Sequence, residues 1–346
     1  MESPSALEIL WFLLIAVLWS GYFFLEGFDF GVGMLLTVIG RANVERRVMI
    51  NAIGPTWDGN EVWLLVAGGA TFAAFPVWYA TVFSSFYLAL FVILAALIFR
   101  GVAFEYRGKI DSPRWRRIWD LAIVAGSALP AVLWGVAFGD FVHGVPIDSV
   151  GRFTGNFFSL ITPYSLYTGI TTAAMFAAQG SLFLTLKLTG RLRSRSGLVA
   201  KRLVPVAAAL VFGFLIWTYL NASHIHDTGI VPGVVPVAAL VLAVAAVVLA
   251  QENFFGWAFL TLGASVVTIT MTLFLNLYPR VLVSSTSNRY SLTIAGTASE
   301  HYTLVVMTIV ASVFTPLVLF YQSWSYHVFR KRLSVPSTSQ TEGPPS

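Results

Sequence analysis

Residues 7–36 read LEILWFLLIAVLWSGYFFLEGFDFGVGMLL and contain only three charged side chains. An α-helix of about 20 apolar residues is long enough to cross the hydrocarbon core of a bilayer. The stretch therefore predicts a membrane-spanning helix. Met1–Glu8 contains two acids and no Lys or Arg. It lacks the basic segment of a secretory signal, so we expect this helix to be retained.

The apolar character extends over the whole chain, because 57% of its 346 residues are hydrophobic and only 11% are charged. Soluble globular proteins carry about 25% charged residues, so we expect lipid rather than water to be the solvent for most of this chain. The chain has no cysteine. Disulfides, thiolate metal sites, iron–sulfur clusters and c-type haem attachment are therefore excluded.

Eight further apolar runs follow the first, which predicts an all-α, polytopic membrane protein with nine transmembrane helices. The nine spans are expected near Leu7–Leu36, Ala52–Ala74, Trp78–Phe99, Trp119–Phe141, Pro163–Leu186, Leu203–Leu220, Ile230–Ala250, Trp257–Leu277 and Tyr302–His327. We expect residues 1–332 to form a single transmembrane domain. Residues 333–346 are rich in Ser, Thr and Pro, which is typical of a disordered tail.

The basic residues are distributed on one side of the predicted spans. Of the 21 Lys and Arg, 18 fall in the tail or in the loops after spans one, three and five. By the positive-inside rule the N-terminus is external and the C-terminus, with its tail, is cytoplasmic. An even number of spans would place loops rich in Lys and Arg on the same side as loops that contain few of them. The net charge of +5 is thus explained by topology and predicts no nucleic-acid partner.

Acidic side chains interrupt the first two predicted spans. Glu26 and Asp29 lie in span one, and Asp58 and Glu61 lie in span two. Each pair is spaced i, i+3 and shares a helix face, and ionisable groups at membrane depth commonly mark proton or ion paths. The helical rise predicts Asp29 and Asp58 about 9–10 Å inside the membrane. A structural role is the alternative, since Asp58 follows Pro55 and can satisfy backbone groups freed at a kink.

The histidines offer no axial haem ligand within a predicted span. They are His143, His224, His226, His301 and His327, all in loops or at span ends. Haem iron usually needs a His or Met ligand at the right depth, so the sequence predicts that this chain ligates no haem. His224, His226 and Asp227 form an outer-loop cluster, which is either a metal site or an exposed hydrophilic loop. The base closest to a span interior is Arg100, at the predicted inner end of span three.

Several sequence motifs resemble subunit II of cytochrome bd quinol oxidases. They are GFDFGVGML at 27–35, ERRVMIN at 45–51, WDGNEVWL at 57–64 and FRGVAFEYR at 99–107. The similarity extends over nearly the whole chain and is densest in the first 160 residues. Between about residues 203 and 260 only the span spacing is similar.

The resemblance implies two four-helix bundles plus one peripheral helix, paired with a homologous subunit I. That partner is expected to hold haem b, haem d and the site for membrane quinol. The complex would oxidise quinol and reduce O₂ to water with cytoplasmic protons, which builds a proton gradient without pumping. It would lie in the bacterial cell membrane, and this subunit would not be active alone. A small single-helix accessory subunit, bound lipids and a bound quinone are further expectations.

The resemblance also assigns roles to individual residues. The expected proton path comprises Asp58, Asp29, Glu105 and Lys109, with Asp58 delivering protons toward haem d and the last two near the cytoplasmic entrance. The expected cofactor contacts are Arg100, facing a haem propionate of the partner, and Trp57. No catalytic residue and no metal ligand is expected in this chain.

Two other functions fit the residues alone. A proton-coupled secondary transporter would use Asp29 and Asp58 for coupling, but it would need a substrate site at the midplane, usually between inverted repeats. A non-catalytic assembly subunit would use its buried acids only to bind a partner. Purification in mild detergent would distinguish these readings, because only an oxidase brings a larger, haem-bearing subunit with it.

Overall fold

A computed structural model describes residues 3–225 and 233–335 of the chain, which are almost entirely helical. The helices are α1 (Ala6–Met34), α2 (Leu36–Ile39), α3 (Asn43–Ile53), α4 (Trp57–Ala74), α5 (Pro76–Ser85), α6 (Tyr87–Tyr106), α7 (Pro113–His143), α8 (Pro163–Lys187), α9 (Gly190–Ile225), α10 (Val234–Gln251), α11 (Phe255–Leu277), α12 (Ile294–Thr297) and α13 (His301–Val328). The strands β1 (Arg280–Leu282) and β2 (Leu292–Thr293) form a small antiparallel pair. The predicted all-α class is confirmed.

Within the described ranges, eight helices are long and apolar enough to cross a membrane, namely α1, α6, α7, α8, α9, α10, α11 and α13. They coincide with eight of the nine predicted spans. The remaining one is represented by α4, which has 18 residues and carries Asp58, Asn60 and Glu61 in its first two turns. These polar residues lower its mean hydropathy. The chain is thus a multi-pass membrane protein, while the count of nine spans stays a prediction.

The second predicted span begins at the wrong residue. Ala52 belongs to α3, which ends at Ile53, and α4 begins only at Trp57. Pro55 explains the break, because proline has no N–H to continue the hydrogen bonds of α3. An Asp58 in the second position of α4 therefore lies at the start of a helix and not six residues inside one.

The third predicted span is also corrected. It consists of the short helix α5 followed by α6, with Phe86 between them. Helix α6 continues seven residues beyond the predicted end at Phe99 and stops at Tyr106. This extension places Arg100 inside the helix.

Helix α1 lies at the centre of the molecule and packs against α4, α7, α8 and α11. Its glycines allow close approach: a Cβ added to Gly31 would lie 1.9 Å from the Phe176 carbonyl oxygen of α8. A Cβ on Gly33 would lie 2.0 Å from Oγ of Ser127 in α7. Small residues commonly permit such backbone contacts between membrane helices. Two of the three glycines in the motif at 27–35 thus have a packing reason.

Helix α13 is peripheral, since only 6% of its most apolar window is buried. Near its start, Trp11 of α1 donates from Nε1 to the Leu304 carbonyl at 3.1 Å and to Oγ1 of Thr308 at 3.0 Å. Near its end it contacts α4 through polar side chains, described below. Most of its surface is apolar and exposed in the isolated chain.

A buried carboxylate fixes α3 to the ends of α6 and α7. Asp120 of α7 is almost fully buried and pairs with Arg46 of α3 at 2.9 Å and with Arg107 at 2.5 Å. Arg107 also donates to Oδ1 of Asn43 at 2.9 Å. We refer to this part of the molecule, where α3 meets the ends of α6 and α7, as the α3 end.

A second ion pair joins the start of α3 to α9. Arg195 pairs with Glu45 and donates to the Ile39 carbonyl at 2.7 Å. The hydrogen bond from Arg195 lowers the pKa of Glu45, which lies outside the membrane-spanning helices, to about 2.

The chain returns to the α3 end after α13. The Leu333 amide donates to the Lys187 carbonyl at 2.7 Å, and the Thr189 amide donates to the Leu333 carbonyl at 3.1 Å. Leu333, the first residue of the predicted tail, is thus attached to the α8–α9 junction. The rest of that predicted tail, residues 336–346, lies outside the described residues.

Candidate functional site

Two carboxyl groups of α1 are fully buried inside the helix bundle. Glu26 and Asp29 both have zero exposure, and their i, i+3 spacing points them to the same side of α1. Both were predicted to lie within the first span. Burying an unpaired carboxylate is costly, so their neighbours decide what they can do.

Arg100 of α6 supplies the positive charge beside these acids. Its Nη1 pairs with Oε1 of Glu26 and lies 3.8 Å from Oε2 of Glu61 on α4. The guanidinium carbon lies 4.8 Å from the ring centre of Phe30 and 5.3 Å from that of Phe104. The aromatic rings hold the guanidinium by cation–π contact and exclude water from the ion pair.

Arg100 lies deeper in its helix than the predicted end of span three at Phe99 implied. The side chain has zero exposure and lies six residues before the end of α6 at Tyr106. Gly126 of α7 makes room for it, because a Cβ there would lie 2.7 Å from Cβ of Arg100. Arg100 is therefore an interior cation of the chain, and its position relative to the membrane edge stays a prediction.

Asn60 of α4 connects Asp29 to the peripheral helix α13. Its Nδ2 donates to Oδ2 of Asp29 at 2.7 Å. Its Oδ1 accepts from the Tyr326 hydroxyl at 2.8 Å and from Nε2 of Gln322 at 3.2 Å. Gln322 in turn accepts at Oε1 from Nε1 of Trp63 at 2.9 Å. The Asp29 carboxyl group thus contacts Asn60, which is linked by hydrogen bonds to three further side chains of α4 and α13.

We call Glu26, Asp29, Glu61 and Arg100 the acid cluster. It contains three carboxyl groups and one guanidinium, so a single cation faces up to three negative charges. Glu26 Oε2, Asp29 Oδ1 and two Arg100 nitrogens are buried without a hydrogen-bond partner among the described residues. Such atoms suit water or a group from another chain. Chemically, the cluster can bind and release a proton.

The other predicted proton-path residues lie on the surface. Asp58 is exposed in the first turn of α4, one turn before Glu61, and not six residues inside a helix as the predicted depth assumed. Its depth in the membrane stays a prediction. Glu105 is exposed in the last turn of α6, and Lys109 is exposed in the turn that follows. The structure thus brings Asp29 into the buried cluster and leaves these three residues exposed.

Trp57, a predicted cofactor contact, is partly exposed at the start of α4. Its ring lies 5.1 Å from that of Phe104, which also contacts Arg100. Trp57 therefore lies between the surface of the chain and the acid cluster.

Sequence reasoning missed Gln322 and Tyr326 entirely. Their i, i+4 spacing in an otherwise apolar span was the available signal, because two polar side chains on one helix face need a polar neighbour. It also missed Asp140, a fully buried acid near the far end of α7. Neither carboxyl oxygen of Asp140 has a hydrogen-bond partner in the part of the chain that the structure describes.

The described histidines lie away from the acid cluster. His143 ends α7, and its Nδ1 lies 3.3 Å from the Asn221 amide. His301 and His327 are exposed at the two ends of α13. The described residues contain no group of three His, Cys, Asp or Glu side chains arranged to hold a metal ion. The side chains of the His224, His226 and Asp227 cluster lie outside the described part.

Comparison with known proteins agrees with the resemblance seen in the motifs. The sequence profile of the family "Cytochrome bd terminal oxidase subunit II" matches residues 7–329. Cytochrome bd ubiquinol oxidase subunit 2 of Bacillus subtilis is 41% identical over 332 residues, which cover 95% of this chain and 98% of that protein. Cytochrome bd-I ubiquinol oxidase subunit 2 of Escherichia coli K12 is 38% identical, with coverage of 94% and 95%.

The fold is also found among solved structures. A chain of the bd oxidase from Geobacillus thermodenitrificans superimposes with a TM-score of 0.72 over 94% of this chain and 97% of that one. The identity is only 15%, so this likeness concerns the fold alone. The sequence matches over nearly the full length favour an oxidase subunit over the alternative of a secondary transporter. The chain belongs to the cytochrome bd terminal oxidase subunit II family and is a multi-pass membrane subunit of a haem-containing quinol oxidase, which it forms with the other oxidase subunit.

Proposed function

We propose that this subunit takes up protons from the cytoplasm for the reduction of O₂ to water and scaffolds the subunit that performs this chemistry. One observation carries the proposal: Glu26 and Glu61 pair with one guanidinium, and a third carboxyl group, Asp29, is buried beside them with the neutral Asn60 amide as its hydrogen-bond donor. A second or third buried negative charge has no cation of its own in the cluster. Holding a proton there relieves the repulsion.

The proposed route runs from the α3 end to Asp29. Asp58, Glu105 and Lys109 are exposed at that end in the isolated chain. The neighbouring surface of α4 and α6 is strongly apolar, with Leu65 and Phe99 more than half exposed. A partner subunit covering this surface would enclose the three polar residues in a shared path, and Asp58 would then act at the interface.

We assign haem b, haem d and the quinol site to the partner subunit. The Nε and Nη2 donors of Arg100 fit an anion such as a haem propionate, and the partly exposed Trp57 packs against Phe104, whose ring contacts the guanidinium. Because Arg100 has zero exposure in this chain, a propionate would have to approach through the partner-facing side of α4 or α6. When bound, the haems would supply the electron transfer and O₂ chemistry.

A bound quinone stays an expectation from the resemblance. A mostly apolar cavity lies between α1, α7, α8, α9 and α11, and Trp134, Phe138 and Phe214 line it together with Thr168 and Thr270. Its volume is only about 40 Å³, whereas pockets for organic ligands measure about 300–1,000 Å³. The cavity therefore does not support a quinone site.

For topology we propose nine crossings, with α4 as the second. The N-terminus is then external, the C-terminus is cytoplasmic, and the α3 end faces the cytoplasm. Helices α1, α4, α6 and α7 would form one four-helix bundle, α8 to α11 the other, and α13 the peripheral helix. The basic residues in the connections after α1, α6 and α8 support this orientation. Oxidation of quinol toward the outside and proton uptake from the inside would build the gradient without pumping.

The test compares Asp29→Asn and Asp58→Asn in the assembled complex. Asparagine preserves volume but cannot titrate, so each variant should keep its haem content and lose at least about tenfold in O₂ reduction. Asp29→Glu and Asp58→Glu should recover part of the rate. Asp111→Asn is the matched control, because Asp111 is an exposed acid in the α6–α7 loop. Full turnover in a fully assembled Asp29→Asn complex would remove the buried acid from the proton path.

A further inference from the structure

Gln322 and Tyr326 are the polar exception on the helix that contributes least to the core. They lie one turn apart on α13, of which Leu304 alone is fully buried among its described residues. Both donate to the same acceptor, Oδ1 of Asn60. The peripheral helix therefore contacts the acid cluster through an amide and a phenol.

These two donors determine which way the Asn60 amide points. An asparagine side chain can in principle exchange its oxygen and nitrogen by rotating through half a turn. Nε2 of Gln322 can only donate, so in the reversed orientation it would face the Nδ2 group of Asn60. The Tyr326 hydroxyl adds a second hydrogen bond to Oδ1 in the observed orientation. The Nδ2 group is thereby held toward Oδ2 of Asp29, at 2.7 Å.

The orientation of Gln322 is fixed in the same way. Nε1 of Trp63 can only donate, and it donates to Oε1 of Gln322 at 2.9 Å. The Gln322 amide must then direct its Nε2 group away, toward Asn60. Trp63, Gln322, Asn60 and Asp29 thus form a chain of hydrogen bonds in which every donor points toward the carboxyl group.

The donor at the end of this chain acts on the charge of Asp29. A hydrogen bond from a neutral amide favours the carboxylate over the carboxylic acid, which opposes the effect of burial. The titratable and charged groups that face Asp29 are Glu26 on its own helix, Glu61 on α4, Arg100 on α6 and Tyr326 on α13. Arg100 already pairs with Glu26, so the Asn60 amide is the direct neutral contact of Asp29.

We propose that α13 is a regulatory part of the proton site and that Gln322 and Tyr326 are positioning residues for Asp29. By holding Asn60 in one orientation, they keep Asp29 able to release its proton. The effect of Gln322 and Tyr326 on turnover rests on the proposed role of Asp29 in proton delivery. Their effect on the protonation of Asp29 is independent of that role.

The test uses Tyr326→Phe and the double variant Tyr326→Phe/Gln322→Met in the purified complex with its partner subunit. Infrared difference spectra recorded across pH report the carboxylic-acid band of Asp29, identified by its loss in Asp29→Asn. In Tyr326→Phe the pH at which the band disappears should rise measurably, and in the double variant by about one pH unit. The pH midpoint of turnover should shift in the same direction. Tyr321→Phe is the control, since Tyr321 is an exposed tyrosine on the same helix.

The outcomes separate the two proposals. An unchanged Asp29 band in the Tyr326→Phe and double variants overturns the positioning role. Full turnover in Asp29→Asn together with a shifted band overturns the proton path but leaves the positioning role in place. Tyr326→Phe removes a single oxygen atom, so it remains decisive even where the double variant fails to assemble.

Discussion

At the scale of single residues, the Arg100–Glu26 pair illustrates why a buried charge rarely acts alone. The two side chains have zero exposure, so neither can be solvated if the other is removed. Breaking such a pair leaves an uncompensated charge and typically costs about 3–5 kcal/mol, whereas replacing both partners by neutral groups is often tolerated.

We therefore predict that Arg100→Met strongly destabilises the complex and that Arg100→Met/Glu26→Gln recovers most of the loss. Thermal unfolding of the purified complex, followed by haem release, measures both. Arg114→Met, at an exposed position, should behave like wild type. A double variant as unstable as Arg100→Met would mean that Arg100 contributes through something other than Glu26.

Glu45 gives a prediction for pH. Its pKa is lowered to about 2 by Arg195, from an ordinary value of 4.5. A lowered folded-state pKa contributes stability that is complete above the unfolded value and is lost as pH falls toward the folded one. The stability difference between wild type and Glu45→Gln should thus be constant above pH 4.5, at about 1 kcal/mol for a partly exposed pair. It should shrink between pH 4.5 and 2, as chemical denaturation at several pH values would show. A difference that grows on acidification would contradict the assigned pairing.

At the scale of elements, α3 depends on its ion pairs because its own core is small. Four of its 11 residues are buried, and Asp120 joins it to α6 and α7. We predict that Asp120→Asn loosens α3, so that amide hydrogen exchange in residues 43–53 accelerates while exchange in α8 stays unchanged. Asp111→Asn, which removes an exposed acid paired with Arg116, should leave both regions unaffected. Equal acceleration in α8 would indicate general unfolding instead of local release.

The limits of prediction from sequence also show at this scale. Apolar runs predicted the existence of eight helices, though not all of their bounds, since length and hydropathy decide which segments cross a bilayer. The same criterion could not separate α3 from α4. Ala52 and Ile53 are apolar and could belong to either helix by hydropathy, so only Pro55 marks the break. It also ended span three at Phe99, where Arg100 follows.

Only part of the candidate site could be predicted from the sequence. Glu26 and Asp29 were found because a carboxyl inside a long apolar helix is conspicuous in sequence. The pairing of Arg100 with Glu26, and of Asn60 with Gln322 and Tyr326, depends on how separate helices pack. No local pattern carries that information.

At the scale of the whole molecule, the acid cluster lies where α1 meets α4 and α6, next to α13 and the apolar surface of α4 and α6. Asp58 is exposed on the same side, one turn from Glu61. A heterodimer interface on this side would bury the entrance residues and complete the path to Asp29. The orientation of the α3 end is therefore decisive, since it determines which side of the membrane supplies the protons.

The absence of cysteine allows this topology to be tested cleanly. A single cysteine at each of four exposed positions reports on which side of the membrane one connection between helices lies; the positions are Ala42, Ser84, Ser149 and Ser194. The wild-type chain, which has no cysteine to label, is the negative control. If the chain crosses nine times with its N-terminus outside, a membrane-impermeant maleimide should label Ser84→Cys and Ser149→Cys in intact cells. Ala42→Cys and Ser194→Cys should react only after permeabilisation.

Ser84 is the discriminating position among the four. It lies in α5, between α4 and α6, so it changes sides only if α4 crosses the bilayer. Labelling of Ser84→Cys in the same compartment as Ala42→Cys would show that α4 does not cross, leaving eight spans. The reversed pattern at all four sites would instead keep nine spans and place the α3 end outside. Asp58, Glu105 and Lys109 would then face the wrong compartment for proton uptake, and the route to Asp29 proposed here would fail with them.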